Sequence, residues 1–131
     1  MKALSLRQPW ATLIVSGRKS IEIRTWRPRK LKLPQWILIH ASMKADTDML
    51  EAFGMLENLP KGALVGEAFM TDVVQYNTKN RWLEEMDKHL NMPEWYEKGL
   101  YGFVFADQTE YARPIPSKGR LNFFDVDMAA L

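Results

Sequence analysis

The chain of 131 residues contains no cysteine and only two histidines, His40 and His89. It can therefore form no disulfide and no thiolate metal site, and two histidines fall short of the roughly four ligands of structural zinc. No apolar run approaches the roughly 18–20 residues of a membrane span. The start, MKALSLRQPW, lacks the apolar core of a signal peptide. We therefore expect no cofactor, no metal, no membrane association and a cytoplasmic location.

A formal net charge of only +2 conceals an uneven distribution. Residues 1–44 contain ten Lys/Arg and one acid, Glu22, whereas the remainder contains eight bases and fifteen acids. A stretch of one sign attracts polyanions such as nucleic acid even when the net charge is small. A solvated basic face is the commoner meaning of a charge run. Charge alone leaves both interpretations open.

The length fits one domain, 1–131, with no internal repeat and no linker. Three helices are predicted. The first covers Pro9–Ser16 and is ended by Gly17. The second runs from Asp46 or Thr47 to about Leu59, with Phe53 and Leu56 facing inward, and the third covers Lys79–Leu90. Alternation and β-rich composition predict strands at 2–7, 20–26, 36–42, 63–76 with a bulge at Gly66, 101–106 and 110–115 as a hairpin, and 121–126. Because strands and helices do not alternate regularly, the pattern favours an α+β fold, a small, mostly antiparallel β-barrel decorated with about three helices.

The segment Leu4–Arg27 gathers most of the chemistry. Strand alternation places Glu22, Arg24 and Trp26 on one face, with Lys19 at its entry. Lys19 and Arg24 can cradle a phosphate while Glu22 accepts a base amino group. Trp26 either stacks on a base or belongs to the core. Gln8 either caps the first helix or contacts a base edge.

Further basic residues surround this segment. Arg7 lies at the junction of the first strand and helix, and Lys118 and Arg120 form a basic turn near the end of the chain. These side chains and their neighbours are either phosphate contacts or solubilising charges, and phosphate contacts position a nucleic acid without reading its sequence. The neighbours are Arg18, Arg27, Arg29, Lys30 and Lys32.

Two blocks, Ser5-Leu-Arg-Gln-Pro-Trp10 and Gly17-Arg-Lys-Ser-Ile-Glu-Ile-Arg24 followed by Trp26, resemble the ASCH family, the activating-signal-cointegrator homology domains. The signature Gly-x-Lys-x-x-Glu-x-Arg of that family is present here as Gly17, Lys19, Glu22 and Arg24. The resemblance runs from Leu4 to about Asp127. It implies a PUA-like barrel that binds RNA or another nucleic acid in a cleft beside the signature, with Lys118 and Arg120 at its rim.

The resemblance also implies alternatives. Some members are amidohydrolases that deacylate N(4)-acetylcytidine, and a ribonuclease activity has been described for others. The amidohydrolase pattern has a threonine three residues after its lysine, where this chain has Glu22. An enzyme would use Lys19 with Glu22 or Glu67 as an acid/base pair. A third hypothesis is a protein-interaction module of the coactivator type, with aromatics near Trp95 and Tyr96 contacting a protein partner. His40, in an apolar strand, is either a core histidine or, followed by Ser42, reaches a cleft at the end of that strand.

Overall fold

The strands pair into one six-stranded sheet in a computed structural model, which describes residues 1–55 and 58–131. The strand order is β2-β5-β4-β3-β1-β6. Only β1 and β3 pair in parallel, and the other adjacent strands are antiparallel. The strands are β1 (Lys2–Gln8), β2 (Ile21–Arg24), β3 (Gln35–Ala45), β4 (Ala63–Tyr76), β5 (Leu100–Pro116) and β6 (Phe123–Asp125).

The mostly antiparallel α+β architecture predicted from the sequence is confirmed, but the sheet is not closed into a barrel. Its edge strands are β2 and β6, and no backbone ladder joins β2 to β1 or β6 in the described residues. Across the opening, the Arg24 Nη2 atom donates a hydrogen bond to the Ser5 carbonyl at 3.1 Å. A side chain therefore bridges β2 to β1 where a closed barrel would have strand pairing.

Four short α-helices decorate the sheet within residues 1–55 and 58–131, against the three that were predicted. They are α1 (Trp10–Val15), α2 (Thr47–Ala52), α3 (Lys79–Glu84) and α4 (Met86–His89). Helix α1 ends at Gly17, as predicted, because its φ of +84° suits glycine. Helix α2 ends earlier than predicted, before Gly54 with a φ of +62°, and the predicted inward position of Leu56 lies outside the described residues.

The predicted hairpin at 101–115 is wrong: β5 is a single strand of 17 residues. Both halves pair with β4, from Tyr76 opposite Leu100 to Ala63 opposite Pro116. The turn-like residues Asp107–Thr109 form part of a bulge, with Asp107 at a φ of +50°, so the chain kinks without reversing. The predicted irregularity at Gly66 is confirmed by the register shift between Leu64 and Gly66.

The main core lies between α1 and one face of the sheet. It contains Ile14 and Val15 of α1 together with Leu4, Ile37 and Phe103 of the strands. A smaller cluster lies on the opposite face, with Ala3, Leu38, Leu64 and Phe124 buried. No helix in the described part of the chain is long and apolar enough to cross a membrane.

Replacing Gly66 by alanine should destabilise the protein by about 1–3 kcal/mol. A Cβ atom there would lie 2.2 Å from the Thr109 carbonyl oxygen and 2.6 Å from a Val15 methyl group, so α1 could no longer pack closely on the sheet. Urea unfolding measures the change, with Thr71→Ser on the exposed part of the same strand as the control. An unchanged free energy of unfolding for Gly66→Ala would contradict the close packing of α1.

Candidate functional site

The carboxylate of Glu22 lies between two cations. Its Oε1 atom is 3.6 Å from the Lys19 ammonium, and its Oε2 atom accepts a hydrogen bond of 3.1 Å from the Arg24 Nε. Glu22 is 8% exposed. The sequence prediction that these three residues form one cluster is therefore correct in geometry, and the cluster as a whole carries one positive charge.

Lys19, however, is fully buried rather than exposed in a cleft. Its ammonium donates to the carbonyl of His89 at the end of α4 and lies 4.8 Å from the centre of the Trp10 ring. Burial lowers its pKa to about 8, and the charge of Glu22 opposes this shift. The N–H donors of the Lys19 ammonium face protein atoms. Lys19 therefore has a role inside the protein instead of the predicted contact with a phosphate.

Arg24 and Glu22 border a cleft of about 350 Å³ beside the end of β1. Arg7 and Arg120 are exposed on its lining, and Trp10 forms part of the wall. Three arginines therefore line one cleft together with one acidic residue, Glu22, whose charge Lys19 compensates. The complete lining is Ser5, Arg7, Trp10, Glu22, Arg24, Ser42, Arg120, Leu121 and Asn122.

Two larger clefts adjoin this one. A cavity of about 910 Å³ shares Ser5, Ser42, Arg120 and Leu121 with it, and also contains His40 and Lys118. A cleft of about 670 Å³ shares Asn122 and is lined by Trp26 and the basic connector, including Arg27, Arg29 and Lys30. The shared residues make the three spaces neighbours along one groove.

Gln8 has the capping role that was one of its two predicted alternatives. It is fully buried; its Oε1 accepts from the Thr12 N–H at 3.0 Å, and its Nε2 donates to the Pro60 carbonyl at 2.9 Å. Its amide is therefore engaged within the protein, and Gln8 does not line the groove.

Trp26 is half-buried, with both predicted roles still available to it. Its ring packs edge-on against Phe103 at 5.3 Å and Phe123 at 6.0 Å between ring centres. The Arg24 guanidinium carbon lies 5.9 Å from the ring centre. One part of the ring belongs to the core, and another borders the connector cleft.

Glu67 does not pair with Lys19, contrary to the prediction. It lies opposite Leu38, on the sheet face that carries the smaller cluster, and accepts a hydrogen bond of 2.8 Å from the Tyr111 hydroxyl. Lys19 follows α1, which packs on the other face of the sheet. Glu22 is the carboxylate within 4 Å of Lys19 among the described residues.

The remaining predicted residues are exposed but distributed differently. Lys118 and Arg120 lie in the groove at the segment between β5 and β6, and Arg27 and Arg29 lie at its other end. Arg18 is exposed on the loop after α1 and lines none of the three clefts. Of the aromatics proposed for a protein partner, Trp95 is 40% exposed, whereas the Tyr96 hydroxyl donates to the Tyr76 carbonyl.

Sequence reasoning missed the contribution of Ser5, Leu121 and Asn122 to the groove. Ser5 falls on a regular strand, and nothing in its neighbours signals that the segment 117–122 crosses above it. A parallel pairing of β1 with β3 would have been the necessary clue, because it brings Ser5 beside His40.

The fold and groove together define a small α+β protein with an open, mostly antiparallel sheet and a cationic cleft at the rim. The model of the ASCH domain matches residues 4–114, and the chain belongs to the ASCH family. No curated protein matches the chain.

Solved structures of ASCH from Zymomonas mobilis have the same fold. One is 18% identical with a TM-score of 0.73, covering 98% of this chain and 88% of that chain. A mutant form of that protein is 18% identical with a TM-score of 0.71, covering 97% of this chain and 90% of the other. The ASCH-type, PUA-like fold expected from the sequence is thereby confirmed.

The lowered pKa of Lys19 predicts a specific pH dependence of stability. Between about pH 8 and the ordinary pKa of 10.5, the unfolded chain binds more protons at this site than the folded chain. The free energy of unfolding should therefore rise with pH there, by at most about 1.4 kcal/mol per pH unit. Urea unfolding at pH 7.5–9.5 should show this rise in the parent relative to Lys19→Met.

Lys98→Met removes an exposed lysine and serves as the control, whose pH slope should equal that of the parent. The other titratable groups are the same in the parent and in Lys19→Met, so their contributions cancel in the comparison. Equal slopes for the parent and Lys19→Met would contradict a buried ammonium at position 19.

Proposed function

We propose that the protein binds nucleic acid, with RNA preferred, along the cationic groove. The observation that carries the proposal is the cleft of about 350 Å³ on which Arg7, Arg24 and Arg120 converge. Its volume lies at the lower end of ordinary ligand pockets, which suits one nucleotide unit of a longer chain. The adjoining clefts extend the groove in both directions from it.

Arginine suits this site because its planar guanidinium binds phosphate oxygens in pairs. Arg7 and Arg120 are exposed and can move to meet a backbone phosphate. Arg24 is held in place by Glu22 and by the Ser5 carbonyl, so it is pre-oriented. The negative charge of Glu22 is offset by Lys19 and Arg24, and the cleft therefore remains attractive to an anion.

A base would stack at the connector end of the groove. The part of Trp26 that borders the cleft of about 670 Å³ offers an aromatic surface beside Arg27 and Arg29. Stacking of an unpaired base on such a ring contributes about 1–3 kcal/mol and tolerates any base. Single-stranded nucleic acid is therefore the better ligand, since its bases are free to leave the stack.

The double variant Arg7→Ala/Arg120→Ala should bind single-stranded RNA at least about tenfold more weakly at low salt. It should also show a shallower dependence of log affinity on log salt, by about 0.7 for each phosphate that the protein no longer neutralises. Fluorescence anisotropy with matched RNA and DNA oligomers of mixed sequence measures both quantities and the preference between the two.

Arg113→Ala is the matched control, because Arg113 is exposed on β5 and lines none of the three clefts. It should leave the salt slope unchanged. Binding that is absent, insensitive to salt, or weakened equally by Arg113→Ala would refute the groove as a nucleic-acid interface.

An enzyme acting on RNA or a modified nucleoside is the second candidate, favoured by the pKa of about 8 at Lys19. A lysine of this kind can exchange a proton near neutral pH. Because it is buried behind Glu22, it would act through that carboxylate, which borders the cleft. The threonine that the amidohydrolase pattern has three residues after its lysine is replaced here by Glu22, so hydrolysis assisted by Lys19 would need water as the nucleophile.

Turnover of acylated cytidines and of RNA separates this candidate from binding alone. Activity that is lost in Lys19→Met, with oligonucleotide binding retained, would support the enzyme. Intact binding without turnover would support the binding protein, and turnover unaffected by Lys19→Met would exclude Lys19 as the acid/base group.

A further inference from the structure

Ser5 and His40 are direct neighbours across the parallel strands β1 and β3. Residues opposite each other in a sheet project to the same face, here the face of the smaller cluster. The Ser5 Oγ atom and the His40 Nδ1 atom are 2.8 Å apart. A hydroxyl and an imidazole are therefore within hydrogen-bond distance without any loop being needed to bring them together.

The second ring nitrogen fixes the proton arrangement. The His40 Nε2 atom is 2.7 Å from the Ser117 carbonyl oxygen. A carbonyl only accepts, so Nε2 carries the hydrogen in the neutral ring, and Nδ1 is left to accept from the Ser5 hydroxyl. A base oriented by a third group, and facing a hydroxyl, is the arrangement that activates a serine nucleophile.

The segment between β5 and β6 passes closely over the pair. Gly119 lies so close that a Cβ atom there would be 2.6 Å from the His40 ring and 3.0 Å from the Ser5 hydroxyl. His40 is buried, whereas Ser5 is half-buried and opens onto the cavity of about 910 Å³. Ser5 also lines the cleft of about 350 Å³ that contains Arg7, Arg24 and Arg120, and it therefore lies where the two spaces meet.

We propose that Ser5 is a nucleophile activated by His40 and that the site hydrolyses an ester whose alcohol part is anionic. The acyl group would occupy the cavity, whose wall includes Met43, Pro116 and Leu121. The anionic part would lie among the guanidinium groups of the adjoining cleft. The site is separate from the Lys19–Glu22 pair, and the proposal does not depend on nucleic-acid binding.

The reaction balances with water as the only co-reactant. The Ser5 oxygen attacks the carbonyl carbon of the ester while its proton passes to His40 Nδ1. Arg120 is the cation on the lining that both spaces share, and it would stabilise the oxyanion. The alcohol leaves with the proton from Nδ1, giving an acyl-serine. Water then attacks the acyl-serine with His40 as base, releasing the acid and restoring the serine.

A fluorophosphonate probe tests the proposal, because the serine oxygen displaces fluoride from phosphorus only when its hydroxyl is activated. Intact-protein and peptide mass spectrometry should show one adduct at Ser5. Ser5→Ala should abolish it, and His40→Asn should slow it at least about 100-fold. Ser16→Ala is the matched control: Ser16 is exposed at the end of α1, lines none of the three clefts, and its hydroxyl donates to the Leu13 carbonyl, so labelling should be unchanged.

Circular dichroism verifies that each variant is folded. If His40→Asn fails to fold, the proposal is tested by comparing the hydrolysis of p-nitrophenyl acetate by the parent and by Ser5→Ala. A burst of p-nitrophenol is expected only from the parent. No adduct at Ser5, an adduct formed equally fast in folded His40→Asn, or no difference in ester hydrolysis would overturn the proposal. Labelling and ester hydrolysis are measured without nucleic acid, so failure of this inference and failure of nucleic-acid binding are distinguishable.

Discussion

The ion-paired carboxylate of Glu22 is the interaction on which the rest of the site depends. Through Lys19 it is linked to the carbonyl of His89 at the end of α4, and through Arg24 to the Ser5 carbonyl of β1. These contacts join the loop after α1, the edge strand β2 and the opposite side of the open sheet. Without the carboxylate, two cations would face each other in a largely buried space, at a cost of several kcal/mol. The cluster therefore takes the place of strand pairing at the opening of the sheet.

This arrangement divides the family signature into two parts with different tasks. Lys19 is internal and balances charge, whereas Arg24 presents its remaining donors at the cleft. Lysine tolerates burial because its pKa can fall, but an arginine retains its charge and needs fixed acceptors. An anion in the cleft would thus meet a guanidinium whose position is already set by Glu22 and Ser5. Pre-orientation of this kind lowers the entropy cost of ligand binding.

Local sequence patterns are enough to predict the positions of most helices and strands, but not how these elements pack against one another. Alternation located β1 closely, β-rich composition located β4, and the positive φ of Gly17 explains why α1 ends where predicted. The clustering of Lys19, Glu22 and Arg24 follows from strand alternation. The burial of Lys19 does not, because it is imposed by α4, far along the chain. The misplaced hairpin has a similar origin: Asp107–Thr109 has turn composition, but continuous pairing with β4 overrides it.

The topology also explains why the two candidate chemistries lie side by side. Because β5 and β6 are four strand spacings apart in the order, the connection between them must span about 19 Å of sheet. Between Pro116 and Phe123 an extended chain reaches about 23–25 Å, so the segment has little slack and must cross β4, β3 and β1 almost directly. That path lies over His40 and Ser5, and it requires glycine at position 119. It also brings Arg120 to the cleft that Arg24 reaches from β2. One short crossing thus forms the roof of the serine–histidine pair and supplies a cation to the proposed nucleic-acid groove.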